Sequence, residues 1–209
     1  MTLGATWLRH YREIRLADFE FRQPEGDKPE PHCLVVIDYK TGDTIRLWRD
    51  ELLTMSSPPF STGDDTLFVA FFASAELNCF RSLGWPMPQR ILDLYAEFQN
   101  HTNGYYGVPD KPGLLVALQY FGLSGIEAVE KTSMRDIAIR GGPFTEQEKH
   151  GLMVYCESDV IALRQLLTAM LPYLEPQATL RGRYTAAVSA MEMTGTPIDV
   201  VTFFTLQFS

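Results

Sequence analysis

Residues 14–21 read IRLADFEF, and apolar side chains alternate there with polar and acidic ones. Alternation of this kind is typical of a β-strand, because successive side chains point to opposite faces of a sheet. Two further β-rich runs follow, CLVVIDY at 33–39 and DTIRLW at 43–48, with a short turn that contains Gly42 between them. The pattern predicts an antiparallel hairpin, so the first three strands of a sheet follow one another in the chain.

The rest of the chain adds strands and then mainly helices. The wholly apolar run TLFVAFF at 66–72 is typical of a strand that is buried on both faces, and Ser74 fits the N-cap of the helix that follows it. RILDLY at 90–95 predicts a fifth strand, and the longest helix is predicted from about Thr145 to about Leu171. This order predicts an α/β fold with a mixed five-stranded sheet flanked by helices.

The composition is that of an ordinary globular protein. The chain has 209 residues, of which 45% are hydrophobic and 21% charged, enough for one α/β domain with an appendage. No apolar run is long enough to cross a bilayer and the first residues lack a secretory signal, so we expect a cytoplasmic protein without membrane association. Three widely spaced cysteines predict reduced, buried side chains rather than a disulfide framework or a zinc knuckle. They are Cys33, Cys79 and Cys156.

The formal net charge is −8, which argues against a non-catalytic protein that clamps nucleic acid through phosphate contacts alone. It agrees with an enzyme that holds metal ions in a cluster of carboxylates, because bound cations invert the local charge.

Two pairs of residues suggest such a cluster. Asp18 and Glu20 are separated by one residue on the first predicted strand, so both carboxylates point to the same face. Carboxylates in one place repel each other unless a cation or solvent compensates them. Tyr155 and Asp159 lie one helical turn apart in the long helix, which brings a phenol hydroxyl near a carboxylate. Each pair alone is common on solvated surfaces, and only the combination indicates a site.

Together, in this order, the two pairs resemble the first and third motifs of the DEDDy class of 3′-to-5′ exonucleases. This class includes the proofreading domain of family A DNA polymerases and the RNase D-like enzymes. The resemblance implies a ribonuclease H-like sheet and a hydrolase that removes nucleoside monophosphates from the 3′ end of single-stranded DNA. It also implies that Asp18 bridges two metal ions, that Glu20 and Asp159 complete the metal sites, and that Tyr155 positions the attacking water.

The middle motif of the class supplies a further carboxylate, and here the chain departs from the usual pattern. The stretch FFASAELNCF has Glu76 where the class has Asp, and Phe72 where it often has Asn. Because Glu is only one methylene longer than Asp, Glu76 could still reach the second metal. Asp93 is its rival for this role, although the class commonly has a structural Asp at that place. The third interpretation of Glu76 is a solvated acid stabilised by the helix dipole.

The ligand atoms that the sequence offers restrict which metal ions can bind. Oxygen ligands from Asp and Glu suit two Mg²⁺ or Mn²⁺ ions, which can generate a hydroxide and relieve charge on the leaving oxygen. The sequence shows no Cys/His cluster of the kind that zinc prefers. The sister DEDDh class would need a His where this chain has Val154. Neither a Gly-rich phosphate loop nor a Gly-x-Ser-x-Gly elbow is present, so kinase and serine-hydrolase functions have no support.

Three residues are predicted to bind the nucleic acid. Lys131 and Arg135 lie four residues apart on a predicted helix, where they could contact a phosphate or form ion pairs with Glu127 and Glu130. Phe19 lies between the two acids of the first motif and could stack on a terminal base.

The end of the chain is predicted to be a helical tail. A helix through Met193 followed by Gly195 and Pro197 resembles the segment that leads into the polymerase region of family A enzymes. We therefore predict an exonuclease domain at 1–175 and a tail at 176–209, with a polymerase region as a partner in a longer chain. The alternative is a helical hairpin that packs on the domain.

Two other functions remain open. An RNase D-like RNA exonuclease would use the same metal centre, because nothing in the sequence discriminates the 2′-hydroxyl. An inactive exonuclease-like module, which binds DNA or supports a polymerase, would explain the replacement of the usual Asp by Glu76.

Overall fold

The structure is a computed structural model, and it describes residues 6–25, 27–109, 111–123 and 128–207, except for the side chains of 128–132. Within these residues, none of the helices combines the length and the apolar character that a membrane span requires.

One five-stranded sheet forms the centre of the fold, with the strands in the order β3-β2-β1-β4-β5. β2 runs antiparallel to both β1 and β3, whereas β4 and β5 run parallel to β1. The predicted mixed five-stranded sheet and its hairpin are thus confirmed. The strands are β1 (Glu13–Arg22), β2 (Glu30–Asp38), β3 (Thr44–Trp48), β4 (Thr66–Ala70) and β5 (Arg90–Asp93).

Helices cover both faces of this sheet and enclose two apolar cores. One core lies between the sheet and α6, and the other lies between the sheet and α2. The helices are α1 (Arg49–Thr54), α2 (Ala73–Leu83), α3 (Leu94–Thr102), α4 (Leu114–Tyr120), α5 (Ala128–Arg140), α6 (Glu146–Met170), α7 (Ala178–Thr194) and α8 (Val200–Gln207), with short 3-10 helices at Thr6–His10 and Leu171–Tyr173.

The alternation along β1 decides which side chains meet which helix. Leu16 points into the core under α6, and Ala17 and Phe19 point into the core under α2. Because side chains on one face recur at every second residue, the positions of Asp18 and Glu20 continue the α6 face. The sequence therefore places two acids at the end of an apolar stripe.

Three details differ from the predictions. Helix α2 begins at Ala73 rather than after Ser74, because Phe72 takes the left-handed backbone conformation with φ of 66°. The fifth strand ends at Asp93, since this side chain caps α3 and starts the helix inside RILDLY. The short helix α1, directly after β3, was not predicted.

Helix α7 lies after residue 175, in the part of the chain that was predicted to be a tail. It nevertheless packs closely on the sheet. The backbone of Gly182 lies so near β5 that a Cβ atom there would stand 1.9 Å from the Ile91 carbonyl oxygen. Arg181 also forms a two-point ion pair with the buried Glu97, with N–O distances of 2.6 and 2.7 Å. The boundary between 1–175 and 176–209 stays a prediction, as does the resemblance of the tail to a polymerase segment.

Candidate active site

The two acids of the first motif lie near the end of β1, in its pairing with β2. Asp18 stands opposite Val35 and Glu20 stands opposite Cys33. The register shifts between Glu20 and Phe21, so the strand is irregular directly after the second acid. Irregular strand ends often redirect side chains beside a functional site.

Helix α6 brings the residues of the third motif onto the same face. Thr145 caps its first turn together with Glu148, as the sequence predicted, and this fixes where the helix begins. Ten residues later, the Tyr155 hydroxyl donates a hydrogen bond to the Asp159 carboxylate. The buried thiol of Cys156 donates to the main-chain carbonyl of Asp18 at 3.1 Å and thereby ties the helix to β1.

Glu76 enters the site from the first turn of α2. The left-handed conformation of Phe72 turns the chain sharply after β4, and an aromatic residue adopts this conformation only at some cost in energy. The Glu76 side chain is only 4% exposed, and it accepts a hydrogen bond from the main-chain N–H of Phe19. Its Oε2 atom is buried without a hydrogen-bond partner among the described residues.

These elements surround one cavity of about 590 Å³, which brings together all five residues predicted to be catalytic. Phe71 and Arg135 contribute to its wall as well. The predicted catalytic residues in the lining are Asp18, Glu20, Glu76, Tyr155 and Asp159.

The carboxylate of Asp93, the alternative to Glu76 in the middle motif, is used for hydrogen bonds within the fold. Its Oδ1 accepts hydrogen bonds from the main-chain N–H groups of Phe72 and Tyr95, both at 3.0 Å. Its Oδ2 accepts from the Thr185 hydroxyl at 3.2 Å. Asp93 does not line the cavity, and both of its oxygens hold neighbouring segments together. The geometry therefore favours Glu76 as the carboxylate of the middle motif.

Substitution of the two acids by Ala should separate their roles. Asp93→Ala removes the cap of α3 and a support of the Phe72 turn, so we expect it to lower the free energy of unfolding by about 1–2 kcal/mol. Glu76→Ala should leave thermal stability nearly unchanged or raised, and abolish metal-dependent nuclease activity. Thermal unfolding and a nuclease assay on both variants measure this. Loss of activity in Asp93→Ala together with loss of stability in Glu76→Ala would make Asp93 the functional acid.

The cavity is electrostatically unfavourable without a cation. Burial raises the pKa of Glu20 well above its usual value, and the charges of Asp18, Asp159 and Glu76 raise it further. Burial and the Asp18 charge likewise raise the pKa of Glu76, although the Phe19 N–H opposes this. A divalent cation would relieve the repulsion and satisfy the buried Oε2 atom. The residues present thus fit a hard, oxygen-bound metal ion.

A pH dependence of stability follows for the metal-free chain. Because the folded-state pKa values of Glu20 and Glu76 are raised, the folded state binds more protons than the unfolded chain above about pH 4.5. The free energy of unfolding should then fall as the pH rises through the folded-state values. We expect the melting temperature in EDTA to decline from about pH 5 towards pH 8, and Glu76→Gln to flatten the decline. Glu146→Gln, at a side chain that is 89% exposed, is the control and should follow the wild type. Parallel curves for all three proteins would contradict the prediction.

A sulfur atom lies close to the acids of the first motif, which was not predicted from the sequence. Cys156 was predicted only as a buried filler, and no cysteine was expected near the metal ligands. The structure does bury Cys156, yet its Sγ atom lies in one group with carboxylate oxygens of Asp18 and Glu20, all within 4.8 Å of one another. Its place directly after Tyr155 in the third motif was the signal that could have revealed it.

The predicted contacts with nucleic acid have different outcomes. Arg135 is exposed and lines the cavity, and the side chains of its predicted ion-pair partners, Glu127 and Glu130, lie outside the described residues. The side chain of Lys131 lies outside the described residues. The Phe19 ring is 3% exposed and packs edge-on against Phe80, so it is unavailable for stacking on a base. Phe21 and Phe71 are aromatic residues of the cavity wall that were not predicted from the sequence.

Comparison of the sequence with protein families and with curated proteins gives no match. Comparison of the structure with solved structures gives several. RNase D of Escherichia coli, an exoribonuclease, is 15% identical with a TM-score of 0.54, and the match covers 88% of this chain. RNase D of Trypanosoma brucei in complex with RNA U12 is 14% identical over 91% of this chain, with a TM-score of 0.58. A structure described as the apo form of a nuclease is 13% identical over 95% of this chain and also has a TM-score of 0.58.

The shared lengths differ among these matches. The chain spans 46% of the E. coli RNase D chain, 66% of the T. brucei chain and 94% of the third nuclease chain. The chain shares the fold of these nuclease structures, and this confirms the predicted ribonuclease H-like architecture with its mixed five-stranded sheet.

Proposed function

We propose that this chain is a metal-dependent 3′-to-5′ exonuclease, which hydrolyses the last phosphodiester of a single strand and releases a nucleoside monophosphate. One observation carries the proposal: Asp18, Glu76 and Asp159 come from three separate elements and line a single cavity. A solvated surface would not gather these carboxylates, with Glu76 buried and Asp18 and Asp159 half-buried, at the cost in stability that their mutual repulsion imposes. The RNase D-like fold adds support, because nuclease domains share it.

The residues of the cavity have distinct roles in this proposal. Asp18, Glu20, Glu76 and Asp159 would hold two Mg²⁺ or Mn²⁺ ions. When bound, such ions supply a hydroxide near neutral pH and relieve charge on the leaving 3′ oxygen.

Tyr155 is suited to hold the attacking water. Burial and the neighbouring charges of Asp159 and Glu20 raise its pKa, so the phenol stays protonated at neutral pH. Its hydroxyl is fixed by the hydrogen bond to Asp159 and can accept a hydrogen bond from water. This arrangement orients the water without removing a proton from it.

Replacement of Tyr155 by Phe should therefore slow cleavage. We expect the single-turnover rate to fall on the order of 100-fold, because a loosely held water seldom reaches the attacking position. The dissociation constant of the strand should change little. Tyr184→Phe, at a side chain that is 72% exposed on α7, is the matched control and should cleave normally. An unchanged rate in Tyr155→Phe would remove the residue from the mechanism.

Arg135 provides the positive charge that a polyanionic strand needs. Its exposed guanidinium lines the same cavity as the carboxylates, so it can contact a phosphate near the scissile bond. This interpretation favours the phosphate contact over the ion pair for Arg135, and Lys131 stays a predicted second contact.

RNA is the substrate that the comparisons favour over the predicted DNA. One of the similar structures contains RNA, and another is described as an exoribonuclease. DNA remains the second candidate, because the cavity residues named here contact phosphate and metal rather than the 2′-hydroxyl.

A strand-shortening assay tests the proposal. The purified chain is incubated with 5′-labelled RNA and DNA strands of equal sequence, with Mn²⁺, with Mg²⁺ or with EDTA. We expect a ladder that shortens from the 3′ end, requires the metal and forms faster on RNA. Faster cleavage of DNA would restore the original substrate prediction. A strand that stays intact under all conditions, although it binds the protein, would indicate the inactive module.

A further inference from the structure

The acidic cluster contains a sulfur atom, which sets its metal chemistry apart from that of a purely carboxylate site. The Cys156 thiol is fully buried, and its Sγ atom lies within 4.8 Å of carboxylate oxygens of Asp18 and Glu20. The thiol is also held at the Asp18 carbonyl at 3.1 Å. Its position relative to β1 is therefore defined by a hydrogen bond as well as by packing.

A second observation indicates that the cavity beside this group accommodates a cation. Glu76 is 4% exposed and lines the same cavity as Asp18 and Glu20. Its Oε2 atom has no hydrogen-bond partner among the described residues. A buried carboxylate oxygen without a partner is costly, and a bound cation would remove this cost.

The type of donor determines which cations respond to the sulfur. Mg²⁺ and Mn²⁺ prefer oxygen ligands and would gain little from a thiol. Cd²⁺ and Zn²⁺ bind thiolate strongly, and two carboxylates with one thiolate form a suitable set of three ligands. The same cluster can thus bind Mg²⁺ or Mn²⁺ through its carboxylate oxygens, and Cd²⁺ or Zn²⁺ through the Cys156 sulfur together with those oxygens.

We infer that Asp18, Glu20 and Cys156 form a mixed oxygen and sulfur site for thiophilic divalent cations, which displace Mg²⁺ or Mn²⁺ and stop the reaction. The inhibitory part of this inference rests on the proposed function, whereas the binding part does not. When the cation binds, the S–H bond of Cys156 breaks, the sulfur–metal bond forms with the sulfur lone pair, and the proton passes to the buffer. No oxidation or reduction is involved.

Titration with Cd²⁺ alone tests the site, because a cadmium–thiolate bond absorbs in the ultraviolet by charge transfer. We expect the wild-type chain to develop this band and to saturate at one Cd²⁺ per chain. Cys156→Ser should lose the band and bind Cd²⁺ more weakly by at least the roughly 10- to 100-fold typical of a lost supporting group. Cys79→Ser, which removes another fully buried thiol, is the matched control and should keep the band.

Several results would overturn the inference. They are a wild-type chain without the band, a band that persists in Cys156→Ser, and a band that disappears only in Cys33→Ser. Cys156→Ala serves as a second variant if the Ser variant is unfolded by circular dichroism. In a nuclease assay with Mg²⁺, Cd²⁺ should inhibit the wild type at concentrations at least about 10-fold lower than those that inhibit Cys156→Ser.

The two proposals can fail separately. A chain that shows the band but cleaves no strand would refute the exonuclease and retain the mixed site. A chain that cleaves with Mg²⁺ but shows no band would retain the exonuclease and refute the mixed site.

Discussion

Replacement of Asp18 by Asn is expected to lower the rate of 3′-end hydrolysis by at least about 10³-fold while the chain stays folded. Asn has the shape of Asp but no charge, so it cannot compensate two cations. Burial raises the pKa of both Glu20 and Glu76, and the charge of Asp18 raises it further, so a neutral side chain at this position changes the charge balance of the whole cavity. Single-turnover cleavage of a 5′-labelled strand in Mn²⁺ measures the effect.

The control for this substitution is Asp64→Asn, which removes the same charge from an exposed turn before β4. We expect this variant to cleave at the wild-type rate. An Asp18→Asn chain with a native circular dichroism spectrum and an undiminished rate would exclude the acidic cavity from the reaction.

Replacement of Gly182 by Ala should produce the largest loss of stability. The added Cβ would stand 1.9 Å from the carbonyl oxygen and 2.6 Å from the carbonyl carbon of Ile91, and both are main-chain atoms of the edge strand β5. Helix α7 must therefore move away from β5. We expect the free energy of unfolding to fall by about 3 kcal/mol or more, and the melting temperature by roughly 10 °C.

Gly113→Ala is the matched control, because Gly113 has an ordinary φ of −78° and a Cβ there would meet nothing within 4 Å. Its melting temperature should stay within about 2 °C of the wild type. Equal melting temperatures for the two variants would show that α7 packs loosely on the sheet. Such a result would favour the tail interpretation of the chain after residue 175.

Most of the fold could be predicted from patterns within short stretches of the sequence. The alternation at 14–21 predicted β1, and the turn at Gly42 predicted the hairpin. Both signals depend only on residues that are close together in the sequence. The Thr145 cap predicted the start of α6 for the same reason. The left-handed Phe72 was not predictable, since the turn depends on the distant Asp93 that accepts its N–H.

The candidate site was predictable where the spacing within one element carries the information. One residue between Asp18 and Glu20, and one turn between Tyr155 and Asp159, fix which side chains share a face. Contacts between elements were not predictable in this way. The proximity of Cys156 to Asp18 depends on how α6 crosses β1, and the exposure of Arg135 depends on how α5 lies beside the cavity.

The choice between Glu76 and Asp93 shows the same limit. Both acids lie at the end of a buried strand, so their local pattern does not separate them, and only the resemblance to the exonuclease class favoured Glu76. Only the structure shows that Asp93 accepts hydrogen bonds from Phe72, Tyr95 and Thr185 while Glu76 keeps a buried oxygen without a partner among the described residues.

The central claim is that the clustered acids of the cavity form a binding site for hard divalent cations. Electron paramagnetic resonance measures it directly, because the signal of free Mn²⁺ disappears when the ion is bound. The wild-type chain should deplete the signal, and the double variant Asp18→Asn with Glu20→Gln should not. Equal depletion by the wild type and the double variant, or none by either, would contradict the account.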